Sequence, residues 1–119
     1  MELVRIEKND LDSILVLEKL LYKDPWNASN FESELAHNDY AYMYVLKENE
    51  VVLGYAGFWL SYEYATITKV SINPALQNRG LGFYLFNSVM NIARELGATS
   101  FSLEVRVSNI PAQKLYLKS

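Results

Sequence analysis

Cysteine is absent from this chain of 119 residues, and histidine occurs once, as His37. Without cysteine the chain can form no disulfide and can use no thiolate as a nucleophile or metal ligand. A single histidine forms a metal site only with several carboxylates beside it, so no metal is expected. We predict that His37 is a surface residue near the end of a helix.

Long apolar runs are also lacking. No stretch approaches the roughly 18 apolar residues needed to cross a membrane, and residues 1–5 lack the pattern of a signal peptide. The formal net charge is -3, and the 11 basic residues are scattered along the chain, which is not the pattern of a nucleic-acid-binding surface. We therefore expect a cytoplasmic protein that binds neither a membrane nor nucleic acid, with a mildly acidic surface that tolerates a cationic amine.

The composition is typical of one globular domain. Hydrophobic residues make up 50% of the chain and charged residues 21%, both ordinary values. A chain of this length buries roughly two-thirds of its unfolded surface, enough for a core. Residues 1–119 are therefore predicted to form a single domain.

Hydrophobic periodicity predicts an α/β (α+β) fold in the order β-α-α-β-β-β-α-β-α. Predicted strands cover residues 3–6, 40–46, 51–60, 64–72 and 101–107. Predicted helices follow Asp10, run from Ser29 to about Ala36, follow Gly82 as far as Gly97, and run from Ile110 to about Lys118. Because the third helix lies between two strands, it forms a right-handed parallel crossover, and the sheet is predicted to be mixed.

Local signals add detail to this prediction. Asp10 is a candidate N-cap, and Ser29 with Glu32 forms a capping-box pattern. The polar residues 47–50 predict a hairpin connection. Two sets of apolar residues are expected to pack against the sheet, on the first helix Leu11, Ile14, Leu15, Leu17, Leu20 and Leu21, and on the third Leu85, Val89, Ile92 and Leu96. Tyrosines expected to pack on the sheet are Tyr40, Tyr42, Tyr44, Tyr55, Tyr62 and Tyr64.

The stretch Gln77-Asn78-Arg79-Gly80-Leu81-Gly82 lies between a predicted strand and a predicted helix. Glycines let backbone N–H groups approach an anion, and a helix N-terminus adds unpaired donors and a favourable dipole. The spacing matches neither the Walker loop nor the dinucleotide fingerprint. Two interpretations remain from the residues alone: a cradle for a phosphate group, or a tight connection without a ligand.

With its neighbours, this stretch resembles the GNAT superfamily of acetyltransferases, and more narrowly its RimI-type branch. The resemblance rests on residues 70–74 (Val-Ser-Ile-Asn-Pro) before the stretch, residues 103–109 (Leu-Glu-Val-Arg-Val-Ser-Asn) after it, Ala112, Leu115-Tyr116 and Pro25-Trp26. It implies an acetyl-CoA-dependent N-acetyltransferase that acts on the N-terminal alanine of a small-subunit ribosomal protein.

The resemblance also implies site residues. The strand residues Val70, Ser71 and Ile72 would bind the pantetheine arm of acetyl-CoA, chiefly through the backbone of Val70 and Ile72. The pyrophosphate would be held by the turn residues Asn78, Arg79, Gly80, Leu81, Gly82 and Phe83, and Gln77 before them would also bind the cofactor. Asn109 would contact the pantetheine, Glu104 would be the general base, and Tyr116 would protonate the leaving thiolate.

The residues alone leave other interpretations open. Ser102, Glu104 and Arg106 share one strand face, which is equally typical of a solvated face. Without the resemblance, Tyr116 is more typical of the core side of an amphipathic helix. Family members continue beyond the position of Ser119 with two further strands, so we expect an incomplete C-terminus and an exposed strand edge that favours a homodimer. Alternative functions are acetylation of another small amine, or CoA binding without catalysis.

Overall fold

The computed structural model describes residues 1–77 and 79–104, and these form one sheet with helices on both faces. The strands are β1 (Glu2–Arg5), β2 (Ala41–Glu48), β3 (Val51–Ser61), β4 (Tyr64–Ile72) and β5 (Ser100–Leu103). The helices are α1 (Leu11–Leu21), α2 (Ala28–His37) and α3 (Leu81–Glu95), with single 3₁₀ turns at Lys8–Asp10 and Pro74–Leu76. The predicted order is confirmed as far as β5, and the last predicted helix lies outside the described residues.

The sheet is mixed, as predicted. Its strands follow chain order, and neighbouring pairs from β1 to β4 are antiparallel, whereas β4 and β5 are parallel and joined through α3. The connection between β2 and β3 is shorter than the predicted residues 47–50. Only Asn49 and Glu50 lie outside the strands, with φ of 52° and 69°, as a two-residue type I′ turn requires.

A β-bulge in β4 decides which side chains face which layer. Gly57 of β3 lies opposite Lys69 and Phe58 opposite Ile67, so Thr68 is the extra residue. Because one extra residue reverses the alternation of side chains, Ile67 and Val70 both point into the core beneath α3. Without the bulge, Lys69 would face that apolar core.

Each sheet face carries its own core. On one face, Leu85, Phe86, Val89 and Ala93 of α3 pack against β3 and β4. On the other face, α1 and α2 contribute apolar residues that pack around Tyr55 of β3. The sheet is therefore covered by α3 on one side and by the α1–α2 pair on the other.

Helix termini confirm one local prediction and correct two. The last turn of α3 ends at Gly97 (φ 111°), whose N–H donates to the Arg94 carbonyl at 3.0 Å, as in a glycine C-cap. The predicted cap at Ser29 is wrong, because Asn27 and Asn30 exchange the capping-box hydrogen bonds. Asp10 does not cap α1 with its side chain, which instead accepts from the Glu7 N–H and pairs with Lys47.

Several predicted packing residues are exposed instead. Leu20 of α1 is 63% exposed, and Glu18 occupies a fully buried position of that helix. Leu96 is 47% exposed because it follows the last residue of α3. The expectation for the tyrosines is correct for buried Tyr55 and for half-buried Tyr42 and Tyr44, and wrong for the exposed residues Tyr40, Tyr62 and Tyr64. His37 is the exposed last residue of α2, as predicted.

Candidate active site

The start of α3, which follows β4, has a geometry that suits an anion. Gly80, at the N-cap of α3, has a left-handed φ of 78° that favours glycine. The first backbone bond of the helix runs from the Tyr84 N–H to the Gly80 carbonyl at 3.0 Å. The N–H groups of Leu81, Gly82 and Phe83 therefore have no acceptor within the helix and are available to a ligand at its positive end.

The segment of β4 beyond the bulge has one free edge among the described residues. β5 pairs only with residues 64–67, and the last bond of that ladder joins the Glu104 N–H to the Ile67 carbonyl at 2.9 Å. On the other side, the Asn73 N–H donates to the Leu53 carbonyl at 2.9 Å. Since alternate residues of a strand direct their backbone groups to opposite sides, Val70 and Ile72 direct theirs towards the free edge.

Ser71 has a different role from its two neighbours. By the same alternation its backbone groups are directed towards β3, and its hydroxyl shares a hydrogen bond with the Tyr22 hydroxyl. An extended chain added at the free edge would therefore meet the backbone of Val70 and Ile72. The side chain of Ser71 faces the α1–α2 layer.

Glu104 lies at the carboxyl end of β5 and is exposed. Ser102, which has the same parity, bonds through its hydroxyl to Thr66 at 2.9 Å. Thr66 alternates with Ala65 and Ile67, which pack beneath α3. The register therefore places Glu104 on the sheet face opposite α3, close to the start of the free edge.

The structure places the predicted residues in two groups. Val70, Ile72 and Glu104 border the free edge, whereas Gly80 and the residues after it form the helix start that follows β4. Gln77 is half-buried and Arg79 exposed in the connection. Asn78, Asn109 and Tyr116 lie outside the described residues.

A buried polar cluster was missed by the sequence analysis. Lys69 and Glu18 form an ion pair of 3.0 Å, with side chains 6% and 0% exposed. The Tyr55 hydroxyl also donates to Glu18, and burial followed by the Glu18 charge raises the pKa of this hydroxyl above its ordinary value. The sequence contains a signal for this ion pair. Glu18 interrupts the apolar stripe of α1, and Lys69 interrupts a strand that is rich in β-branched residues.

Residues 1–77 and 79–104 contain neither a metal-binding cluster nor a membrane-spanning helix. No grouping of histidine, aspartate and glutamate there could hold a metal ion. No helix in that part of the chain is long and apolar enough to cross a membrane.

Residues 11–119 match the model of the Acetyltransferase (GNAT) family. The chain belongs to the GNAT acetyltransferase family. A Bacillus subtilis protein provisionally named [ribosomal protein bS18]-alanine N-acetyltransferase is 38% identical to it over 109 residues. The aligned region covers 92% of this chain and 72% of that protein. Family and relatives together identify an N-acetyltransferase.

Solved structures of GNAT proteins have the same fold. The ribosomal-protein-S18-alanine N-acetyltransferase of Escherichia coli superimposes with a TM-score of 0.83 at 25% identity, over 98% of this chain and 74% of that chain. The PaiA N-acetyltransferase of Thermoplasma acidophilum, solved in complex with coenzyme A, gives a TM-score of 0.76 at 14% identity, over 98% and 86%. The mixed sheet predicted from the sequence is thus a GNAT sheet.

Proposed function

We propose that this N-acetyltransferase transfers the acetyl group of acetyl-CoA to the α-amine of a protein N-terminus. The first candidate acceptor is the N-terminal alanine of ribosomal protein bS18, because the B. subtilis and E. coli relatives are named for that acceptor. The carrying observation is the free edge of β4 beyond the bulge, which lies between Glu104 and the connection to the N-terminus of α3.

Acetyl-CoA fits both groups of residues. Its pantetheine arm contains amides, which can pair with the backbone of Val70 and Ile72 as an added strand does. Its pyrophosphate is an anion and suits the N–H groups of Leu81, Gly82 and Phe83. Gln77, Asn78 and Arg79 are proposed to complete this phosphate site, and Asn109 to contact the pantetheine.

Glu104 is proposed as the general base. In the transfer, the amine nitrogen bonds to the acetyl carbon, the carbon–sulfur bond breaks, and the amine proton passes to Glu104 directly or through a water. Tyr116 is proposed to give its hydroxyl proton to the departing thiolate. A carboxylate is a sufficient base for an α-amine. Because the pKa of an α-amine is about 8, its deprotonation at pH 7 costs about 1.4 kcal/mol, whereas the deprotonation of a lysine side chain costs about 4.6 kcal/mol.

We also propose that residues 1–119 form one acetyltransferase domain, since a single sheet carries all the described helices. The predicted homodimer stays a prediction. Among the described residues β5 is an outer strand, and its Leu103 is 45% exposed, so this edge is available for pairing. Sedimentation velocity at several concentrations would show a dimer, and a monomer throughout would refute it.

The proposed function is tested by incubating the chain with acetyl-CoA and three acceptors. These are a peptide that begins with alanine, the same peptide with a blocked N-terminus and an internal lysine, and a polyamine. We expect the first peptide alone to gain the mass of one acetyl group. Transfer only to the polyamine would favour a small-amine acetyltransferase, and acetyl-CoA binding without any transfer would favour a non-catalytic module.

A further inference from the structure

Five buried side chains connect the end of α1 to β4 just beyond the bulge. This anchor cluster consists of Glu18, Tyr22, Tyr55, Lys69 and Ser71. Glu18 uses both carboxylate oxygens: Oε1 accepts the Trp26 backbone N–H at 2.8 Å, and Oε2 accepts from Tyr55 and Lys69. Tyr22 bonds to Ser71. The cluster therefore joins residues 22–27, the connection between α1 and α2, to the sheet.

Stability alone is a weak reason for this arrangement. Removing two charges from water costs several kcal/mol per ion, and a well-packed apolar pair of similar volume often stabilises a fold as well or better. Here the ion pair is also ringed by aromatic side chains, with Lys69 Nζ 4.5 Å from the ring centroid of Trp26 and 5.2 Å from that of Tyr22. These contacts fix the orientation of the connection as well as burying it.

The cluster lies on the same sheet face as Glu104, the face from which we expect an acceptor amine to approach. Lys69 and Ser71 flank Val70, whose backbone is directed towards the free edge of β4. Their side chains occupy the face opposite α3, and the register places Glu104 on that same face. Tyr22 and Trp26 lie against Lys69 on this face, so we expect an amine that reaches both Glu104 and a thioester at the free edge to pass residues 22–27.

The two sides of the cluster are held very differently. Beyond the bulge, β4 remains paired with β3, from Lys69, which lies opposite Gly57, to Ile72, which lies opposite Gly54. The backbone position of β4 therefore does not depend on the cluster. Residues 22–27 belong to neither helix. Within this connection, the Trp26 N–H donates to Glu18, and the Tyr22 hydroxyl shares a hydrogen bond with Ser71. Loss of the cluster is thus expected to move the connection and leave the strand in place.

We infer that Glu18 is a positioning residue that holds residues 22–27 as the acceptor-side wall of the active site. Lys69 and Tyr55 fix the Glu18 carboxylate, and the carboxylate in turn fixes the Trp26 backbone. The inference rests on the proposed function. It assigns acceptor binding, rather than cofactor binding or the chemical step, to a group that touches neither substrate.

The test compares Glu18→Gln with Asp10→Asn in the acetylation assay. Asp10 is the matched control, a buried carboxylate paired with Lys47 at 2.6 Å on another part of the sheet. For Glu18→Gln we expect the KM of the alanine peptide to rise by about tenfold or more while the KM of acetyl-CoA stays within about twofold. For Asp10→Asn we expect a lower melting temperature and no change in either KM.

Milder variants cover the case in which Glu18→Gln fails to fold. Tyr22→Phe removes only the hydroxyl that bonds to Ser71, and it should raise the KM of the peptide in the same direction. Lys69→Arg keeps the charge and should retain more peptide affinity than Lys69→Met. An unchanged peptide KM in a folded cluster variant, or an equal rise in both KM values, would overturn the inference alone. A parent chain without transfer would overturn the proposed function and the inference with it.

Discussion

Glu104 combines exposure with a fixed backbone position, because its N–H continues the ladder between β5 and β4. Glu104→Gln keeps the shape of the side chain and removes the proposed proton acceptor. We expect kcat for the alanine peptide to fall by about 10²–10⁴-fold, the usual contribution of general base catalysis. Calorimetry should show unchanged acetyl-CoA affinity.

The matched control for Glu104 is Glu95→Gln, at the exposed end of α3. This variant should transfer acetyl groups at the rate of the parent chain. A Glu104→Gln variant with parental kcat would remove Glu104 from the mechanism and favour the interpretation of a solvated strand face.

Tyr55 should make the free energy of unfolding fall as the pH rises into the alkaline range. Burial raises the pKa of its hydroxyl above the ordinary value of 10.0, so the folded state keeps a proton that the unfolded state loses. The stabilisation is complete below pH 10 and is lost as pH rises through the folded pKa. Tyr55→Phe should cost about 1–3 kcal/mol at pH 7 through the lost bond to Glu18, and this difference from the parent should shrink above pH 10.

Urea unfolding at pH 7, 9 and 10.5 would measure this change. The control Tyr62→Phe removes a hydroxyl from a side chain that is 89% exposed, and it should change the free energy of unfolding by less than about 0.5 kcal/mol. A Tyr55→Phe difference that is constant with pH would contradict the assignment of the alkaline effect to Tyr55.

At the scale of single elements, the pairing of β3 with β4 leaves no room at Gly54. A Cβ added there would lie 2.5 Å from the Ser71 carbonyl oxygen and 2.6 Å from Ile72 Cδ1. Because the nearest atom belongs to the backbone, Gly54→Ala should lower the free energy of unfolding by about 1–3 kcal/mol. Gly57→Ala is the comparison, since an added Cβ there has looser contacts, with the Met43 side chain at 3.2 Å and the Tyr42 carbonyl oxygen at 3.3 Å. Equal losses in urea unfolding would contradict this explanation.

The start of α3 depends on the backbone conformation of Gly80. An added Cβ there meets nothing within 4 Å, but the φ of 78° is strained for any other residue. Gly80→Ala should therefore cost about 1–2 kcal/mol and weaken acetyl-CoA binding, measured by calorimetry, by shifting the N–H groups of Leu81 to Phe83. Parental affinity for acetyl-CoA would contradict the role of this turn.

Local patterns predicted the elements well and their junctions less well. The alternation in β2 to β4 and the periodicity of α3 gave the correct types, since each segment buries a clear apolar face. The β4 bulge was not predictable, because it depends on which layer can accept Lys69, and that layer includes Glu18 from a distant helix. The cap of α2 was misplaced because Asn27 and Ser29 are both good N-caps, and tertiary contacts choose between them.

At the scale of the whole molecule, the candidate site follows from topology. The parallel crossover through α3 brings the carboxyl end of β5 beside β4. Glu104 therefore lies beside the beginning of the free edge, and the connection to α3 follows the end of that edge at Ile72. Sequence patterns indicated the mixed sheet and the glycine-bearing turn before α3, which is the candidate phosphate site. The anchor cluster was missed because a single buried glutamate and a single buried lysine become recognisable as a pair only in the fold.

We propose that acetyl-CoA binds as an added strand at the free edge of β4. Amide hydrogen exchange followed by NMR, with and without acetyl-CoA, tests this claim at the residues concerned. We predict slower exchange at Val70 and Ile72 and at Leu81 to Phe83, with little change at Ser71, whose backbone is directed towards β3. If bound acetyl-CoA leaves exchange at Val70 and Ile72 as fast as in the free protein, the claim is contradicted.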